Sequence, residues 1–259
     1  MRASLRTGAG AYDRRMDDRR TSKRRIRATG LALLLILAGA IAFYIHAGWY
    51  HGQVFHDRPA PRTDGARPAI VMLSGDMGDH VGMTPSVAAR LQDRGYAIVT
   101  VNSLTYFSRR RSQAEAAALV DRAMRRAMAL GNSDHVVLIG QSFGADMLHA
   151  GLALLPAQDR APIRAVVLVV PGHDIIYRAS PVELAGLETP DALALPTASR
   201  LSWTPVTCIW GRDETDSLCP ELTLSGVRKV PLPGGHRLRF DDAALTAAIL
   251  PAIEKPRSE

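Results

Sequence analysis

The sequence predicts an α/β fold: a mostly parallel, doubly wound sheet of about six strands. Three observations carry this. Short, largely apolar runs recur at residues 69–73, 97–101, 135–139, 165–170, 206–210 and 227–232, and most lack the alternating polar positions of a strand with one wet face, as strands covered on both sides do. Helix-compatible stretches separate most of these runs, the alternation that parallel strands need for their crossovers. With 259 residues, 47% of them apolar and 5% aromatic, the chain can bury one sizeable core.

In chain order, residues 1–27 form a basic tail. They hold ten of the 32 Lys/Arg residues and three of the 25 Asp/Glu residues, so the net charge of +7 resides there and the remainder is balanced. A balanced domain lacks the basic face of a nucleic-acid binder. Residues 28–50 follow without one Asp, Glu, Lys or Arg, and about 20 such residues suffice to cross a hydrocarbon core as a helix. The positive flank predicts a cytoplasmic N-terminus, with the domain on the far side and Tyr44, Trp49 and Tyr50 at the outer interface. A cleaved signal peptide, processed near Ala38-Gly39-Ala40, is the competing reading, and both readings export the domain.

Residues 51–68 are polar and carry Pro59, Pro61 and Pro68, the composition of a linker, which leaves 69–259 as the folded domain. Thr84-Pro85 begins a helix, with Thr84 as cap, that stops at Gly95. Ser112 and Glu115 fit a capping box for a helix ending at Gly131. Further helices are expected over 143–155 and 241–253. Residues 173–203, with Pro181, Pro190 and Pro196, break the rhythm and read either as a lid or substrate wall or as a structural surface loop. Cys208 and Cys219 are the only cysteines; outside the cytoplasm they pair by default, two buried free thiols being the alternative.

The chemistry centres on Gly140-Gln141-Ser142-Phe143-Gly144. This G-x-S-x-G follows a strand and opens a helix, the setting of a nucleophile elbow, in which glycines flank a serine on a turn too tight for side chains. In that arrangement the acid and then the histidine follow the serine along the chain. Of eight histidines only His236 lies beyond the fifth predicted strand, in a Pro-Gly-Gly-His loop that can reach back over the sheet. Glu214, Asp216 and Asp213 all follow the strand ending at Gly211, and each can orient an imidazole; Glu214 has the usual spacing, and the other two stay open. The oxyanion donors map to the backbone N–H groups of Phe143 and Asp76, although Asp76 also reads as an ordinary turn acid.

Arg109-Arg110-Arg111, with Tyr106 and Phe107, follows the second strand at the edge where open α/β sheets bind ligands. The run reads either as a receptor for an anionic headgroup or as a solvated charge cluster. Asp146, one turn past the serine, reads as a first-turn helix acid. No dinucleotide, phosphate-loop or metal-ligand pattern is present, so neither a cofactor nor a metal is expected.

Five blocks taken together resemble the VirJ family, which includes the C-terminal half of the AcvB protein: Leu73-Ser74-Gly75-Asp76, residues 102–107 (NSLTYF), 139–146 (IGQSFGAD), 208–219 (CIWGRDETDSLC) and 232–236 (LPGGH). They span nearly the whole domain. The resemblance implies a periplasmic α/β-hydrolase fold, and its AcvB-like members imply hydrolysis of the aminoacyl ester of lysyl-phosphatidylglycerol. It implies catalytic positions for Ser142 and His236, with Glu214 and Asp216 in the family's acidic loop. Met77 and Asp79 stand where the family pattern carries Gly and Trp, Ser108 where it carries an aromatic residue, and Arg237 where it carries a second histidine.

The expected function is therefore a serine esterase acting on an ester at a membrane surface. Its partners would be a membrane lipid and, through residues 28–50, the inner membrane; no nucleic acid is expected. The rival is a non-enzymatic, chaperone-like factor of envelope secretion that retains the fold, and a weaker third reading is a hydrolase of soluble esters or peptides.

Overall fold

The computed structural model describes residues 9–49, 52–61, 67–180 and 188–254. Tyr50, residues 62–66 of the expected linker and Pro181 of the 173–203 excursion lie outside them. The chain divides into a helical unit through His46 and a compact unit from Ala47 onward.

In the first unit, α1 (Ala9–His46) runs through the basic tail and the apolar segment without a break. Within it Lys23–His46 is long and apolar enough to cross a membrane, the one such stretch among the described residues. Leu31 and Leu33 through Leu37 are exposed, an apolar surface that a membrane span or a signal sequence presents. The helix stops four residues before the apolar sequence does. Gly48 has φ 101°, and the carbonyls of Ala47 and Gly48 accept hydrogen bonds from Asn102 Nδ2 (3.1 Å) and Thr105 Oγ1 (2.7 Å). Ala47 and Gly48 thus join the second unit instead of extending the helix.

The second unit is built on a seven-stranded sheet in the order β1-β3-β2-β4-β5-β8-β9. These strands are β1 (Phe55–Arg58), β2 (Ala69–Leu73), β3 (Ile98–Val101), β4 (Val136–Gln141), β5 (Ile163–Val169), β8 (Val206–Gly211) and β9 (Arg228–Leu232). All six expected strands form and pair in parallel. The seventh, β1, falls within the stretch expected to be linker. It lies antiparallel on the β3 edge, His56 opposite Thr100. Phe-His-Asp-Arg carries no apolar run, and its proximity to Pro59 and Pro61 suits an edge position, so pairing with β3 makes it a strand where its own composition does not.

Strands β2, β3 and β4 are buried along nearly their whole length. Ile70, Met72, Ile98, Val137 and Ile139 pack beneath α2 (Thr84–Asp93) and α7 (Asp242–Glu254). The opposite face is covered by α4 (Gln113–Gly131) and α5 (Phe143–Leu152). The capping box forms: Ser112 Oγ accepts the Glu115 N–H, and the Glu115 carboxylate accepts the Ser112 N–H. Thr84 does not cap α2. Its hydroxyl donates to Gln141 Oε1 at 2.9 Å, tying that helix to the end of β4. Residues 173–203 contribute a two-stranded ribbon, β6 (Asp174–Ile175) with β7 (Ala192–Leu193), and a short helix, α6 (Leu195–Ala198); α3 (Ser103–Tyr106) follows β3.

A disulfide joins Cys208 of β8 to Cys219, closing the loop that follows the strand. By the chain-entropy model, a loop of this size stabilises the folded chain by about 3 kcal/mol. Full-length protein in detergent should therefore unfold at a lower temperature after reduction, or as Cys208→Ala/Cys219→Ala, with calorimetry or circular dichroism reading the shift.

Candidate active site

Strand β4 delivers Ser142 to the carboxyl edge of the sheet. Its backbone stands at φ 52° and ψ −127°, a conformation L-residues avoid and the mark of a strained turn. Two glycines permit that turn. A methyl group at Gly144 would lie 2.3 Å from the Ser74 carbonyl oxygen and 2.5 Å from that of Leu73, and one at Gly140 would lie 2.6 Å from Ala145 Cα. The elbow glycines thus let α5 start directly against β2.

Ser142 Oγ is 2.7 Å from His236 Nε2, and His236 Nδ1 is 2.5 Å from Glu214 Oε1. The histidine arrives on the loop after β9. Close packing of that loop on the end of β8 depends on Gly211, where a methyl group would lie 2.2 Å from the Gly235 carbonyl oxygen. Glu214 N–H bonds back to the Gly211 carbonyl at 3.0 Å, so the acid sits in a tight turn, and its side chain is 5% exposed. The glutamate raises the His236 pKa above its ordinary 6.5, against the opposing effect of burial, with Asp76 and Asp146 adding to the rise.

The other two acids of the loop lie elsewhere. Asp216 is largely exposed and pairs with His173 Nδ1 at 2.9 Å, while Asp213 contributes its N–H to the Gly234 carbonyl. Of the three alternatives, the backbone turn presents Glu214 to the imidazole and points Asp216 toward the 173–203 excursion. His149, on α5, is buried and shares a hydrogen bond through Nδ1 with Thr197 Oγ1 at 2.9 Å; burial pushes its pKa down to about 3, which keeps it neutral.

The loop after β2 runs beside the elbow: a methyl group at Gly75 would lie 3.7 Å from Ser142 Cβ. That brings Asp76 and Phe143 to the same end of the sheet. Phe143 is buried and packs edge to face on Phe107 at 5.2 Å. Burial raises the Asp76 pKa, opposed first by His236 and then by the N–H groups of Asp76 itself and of Met77. Asp146 is raised much further. Burial again dominates, and its Oδ1 accepts the Gly172 N–H at 3.1 Å. Gly172 lies just past Val170, a β-branched residue at φ 45°. Asp146 therefore does more than open a helix: it braces the end of β5 against the elbow. Its one-turn spacing from Ser142 was the available signal.

The arginine run is divided. Arg110 pairs with Glu188 and Asp191. Arg111 pairs with Glu115 at 2.9 Å and lies 4.7 Å over the Tyr106 ring, whose hydroxyl donates to the Glu115 carbonyl. Arg109 is exposed. Two of the three charges are thus matched by carboxylates within the fold.

The family described as bacterial virulence protein (VirJ) matches residues 68–257. The chain belongs to the VirJ family. Solved structures place this VirJ chain among α/β-hydrolase folds. It is similar to the α/β hydrolase GrgF from Penicillium sp. sh18 (TM-score 0.60, 15% identity, 78% of this chain and 93% of that one). It also matches Est1E from Butyrivibrio proteoclasticus with bound ferulic acid (0.56, 12%, 78% and 95%) and a thioesterase domain from the curacin biosynthetic pathway (0.53, 16%, 76% and 94%). A search among curated proteins returns no match. In this VirJ chain the elbow, the histidine loop and the acid loop lie at the carboxyl edge of the sheet, where open α/β folds hold ligands.

Because Glu214 favours the charged imidazole, His236 should titrate above pH 6.5 by NMR. Glu214→Gln should lower that midpoint, and Asp216→Asn should lower it less.

Proposed function

We propose that this protein is a serine esterase, held by residues 23–46 in the inner membrane of a bacterium with its hydrolase unit in the periplasm, that cleaves an ester presented at the lipid surface. The observation that carries the reading is the continuous relay Ser142 Oγ, His236 Nε2, His236 Nδ1 and Glu214 Oε1, at 2.7 and 2.5 Å. His236 takes the serine proton as Oγ attacks the ester carbonyl, and Glu214 steadies the imidazolium that forms. The backbone N–H of Phe143 and, once its own carboxylate turns away, that of Asp76 receive the oxyanion at the positive end of α5. The tetrahedral intermediate collapses, His236 protonates the departing alcohol, and a water activated by the same imidazole releases the acid from Ser142.

For the substrate class, the acids around the relay favour a cationic acyl group over an anionic one. Asp76, Asp146 and Glu214 all act on His236, and acidic side chains beside the relay suit the ammonium group of an aminoacyl ester, from whose N–H groups they accept hydrogen bonds. An aminoacyl-phosphatidylglycerol combines that ammonium with a membrane location. The basic tail before the apolar helix and the disulfide, which persists where thiols are oxidised, support that compartment.

The test is turnover by full-length protein in detergent, on a chromogenic ester and on vesicles containing lysyl-phosphatidylglycerol, with a fluorophosphonate probe in parallel. Ser142→Ala should lose probe labelling and turnover, and Glu214→Gln should lower kcat by roughly 10²- to 10⁴-fold. Since only the neutral imidazole is a base, the acidic limb of kcat/KM should lie above pH 6.5 and move down in Glu214→Gln. Equal turnover by wild type and Ser142→Ala would sink the reading and favour a non-enzymatic role. Turnover of the chromogenic ester alone would retain the esterase and reject the lipid.

A further inference from the structure

A second group of chemistry-bearing side chains lies apart from the serine relay. His56 on β1 meets Asp79 and His80 on the loop after β2, and their ligand atoms lie within 4.8 Å of one another. His56 Nδ1 is 2.7 Å from Asp79 Oδ2, which also accepts the Thr100 hydroxyl at 2.5 Å. His80 Nε2 stands 3.7 Å from the other oxygen, Oδ1. The Asp79 side chain is 1% exposed, and Oδ1 has no hydrogen-bond partner among the described residues. A buried carboxylate oxygen without a donor is costly, and the His80 ring nitrogen that faces it at 3.7 Å is too far away for a hydrogen bond.

We propose that His56, Asp79 and His80 form a binding site for a divalent transition-metal ion, of which zinc is the best fit. Two imidazoles and one carboxylate are a donor set that zinc takes readily, with one position left to water. An ion about 2.1 Å from each ligand holds them roughly 3.4 Å apart. The pair formed by His80 and Asp79 Oδ1 is close to that spacing. The pair formed by His56 and Asp79 Oδ2 widens as the ion takes the place of the hydrogen between them; that hydrogen moves to Nε2 of His56 and frees the Nδ1 lone pair. Thr100, opposite His56 in the strand register, orients the carboxylate as an outer partner. Half-exposed His80 gives the ion a route from solvent.

The place of the site gives it a role. Asp79 lies three residues beyond Asp76 on one short loop, and His56 belongs to the edge strand. A bound ion therefore fastens the loop carrying the Asp76 N–H to the rim of the sheet, and takes no part in the ester chemistry.

The test uses full-length, untagged protein in detergent, stripped with chelator and dialysed against micromolar zinc. Metal analysis should return about one zinc per chain, and zinc should raise the melting temperature. Cobalt in its place should give the visible bands of a tetrahedral site. His80→Ala, at an exposed position that tolerates truncation, and His56→Ala should each weaken binding at least about ten-fold and abolish the thermal shift. His173→Ala, which disrupts the separate pairing with Asp216 and Glu221, should change neither. No zinc uptake, or uptake that survives both His56→Ala and His80→Ala, overturns the proposal. These readouts do not depend on esterase turnover.

Discussion

Gly144 packs so closely on the Leu73 and Ser74 carbonyls that even a methyl group would collide with them, and the site is arranged around that contact. It seats the first turn of α5 on the end of β2, which holds Ser142 in its strained conformation and brings the loop with Asp76 alongside. The cost of the strained backbone is offset by the surroundings: α5 is buried along its whole length, and Asp146 ties its first turn to Gly172. A second backbone contact, Gly211 against Gly234 and Gly235, does the same for the other half of the relay. Four backbone segments converge because glycines at their crossing points have no side chain to separate them.

The electrostatics follow from this crowding. Burial works against the charged forms of Asp76 and Asp146, while the imidazole between the acids is held toward its charged form. The hydrogen bond to Glu214 is the largest of the effects that hold the imidazole there, and Asp76 and Asp146 add to it. The disulfide anchors the loop that carries Glu214 at both ends, so the group that orients the imidazole is positioned covalently as well as by its turn. The positive charges outside the cleft are largely satisfied locally: Arg110 and Arg111 face carboxylates, and Arg111 also covers Tyr106.

Much of this was legible in the amino-acid order. The buried strands announce themselves because both faces are covered, so nearly every residue is apolar, and the elbow because its turn admits only glycine at two positions. The capping box could be read for the same reason, being local chemistry between residues three apart. Strand β1 could not. Phe55–Arg58 has no apolar run and acquires its conformation from the unpaired edge of β3. Thr84 likewise reads as a cap until Gln141, distant in sequence, offers its side chain a partner. The apolar helix also ends early, because Asn102 and Thr105 capture the carbonyls of Ala47 and Gly48.

By itself the sequence determined the parallel α/β core, the apolar segment, the single histidine able to follow the acid loop and a short set of acids. Those features depend on periodicity, chain order and local sterics. The tertiary structure decided which acid faces His236, where Asp216 and the arginines find their counter-charges, and that His56 meets Asp79 and His80. Each of those outcomes depends on the direction of a side chain leaving a loop or edge strand. That direction is set by contacts between segments far apart in the chain, which no local pattern encodes.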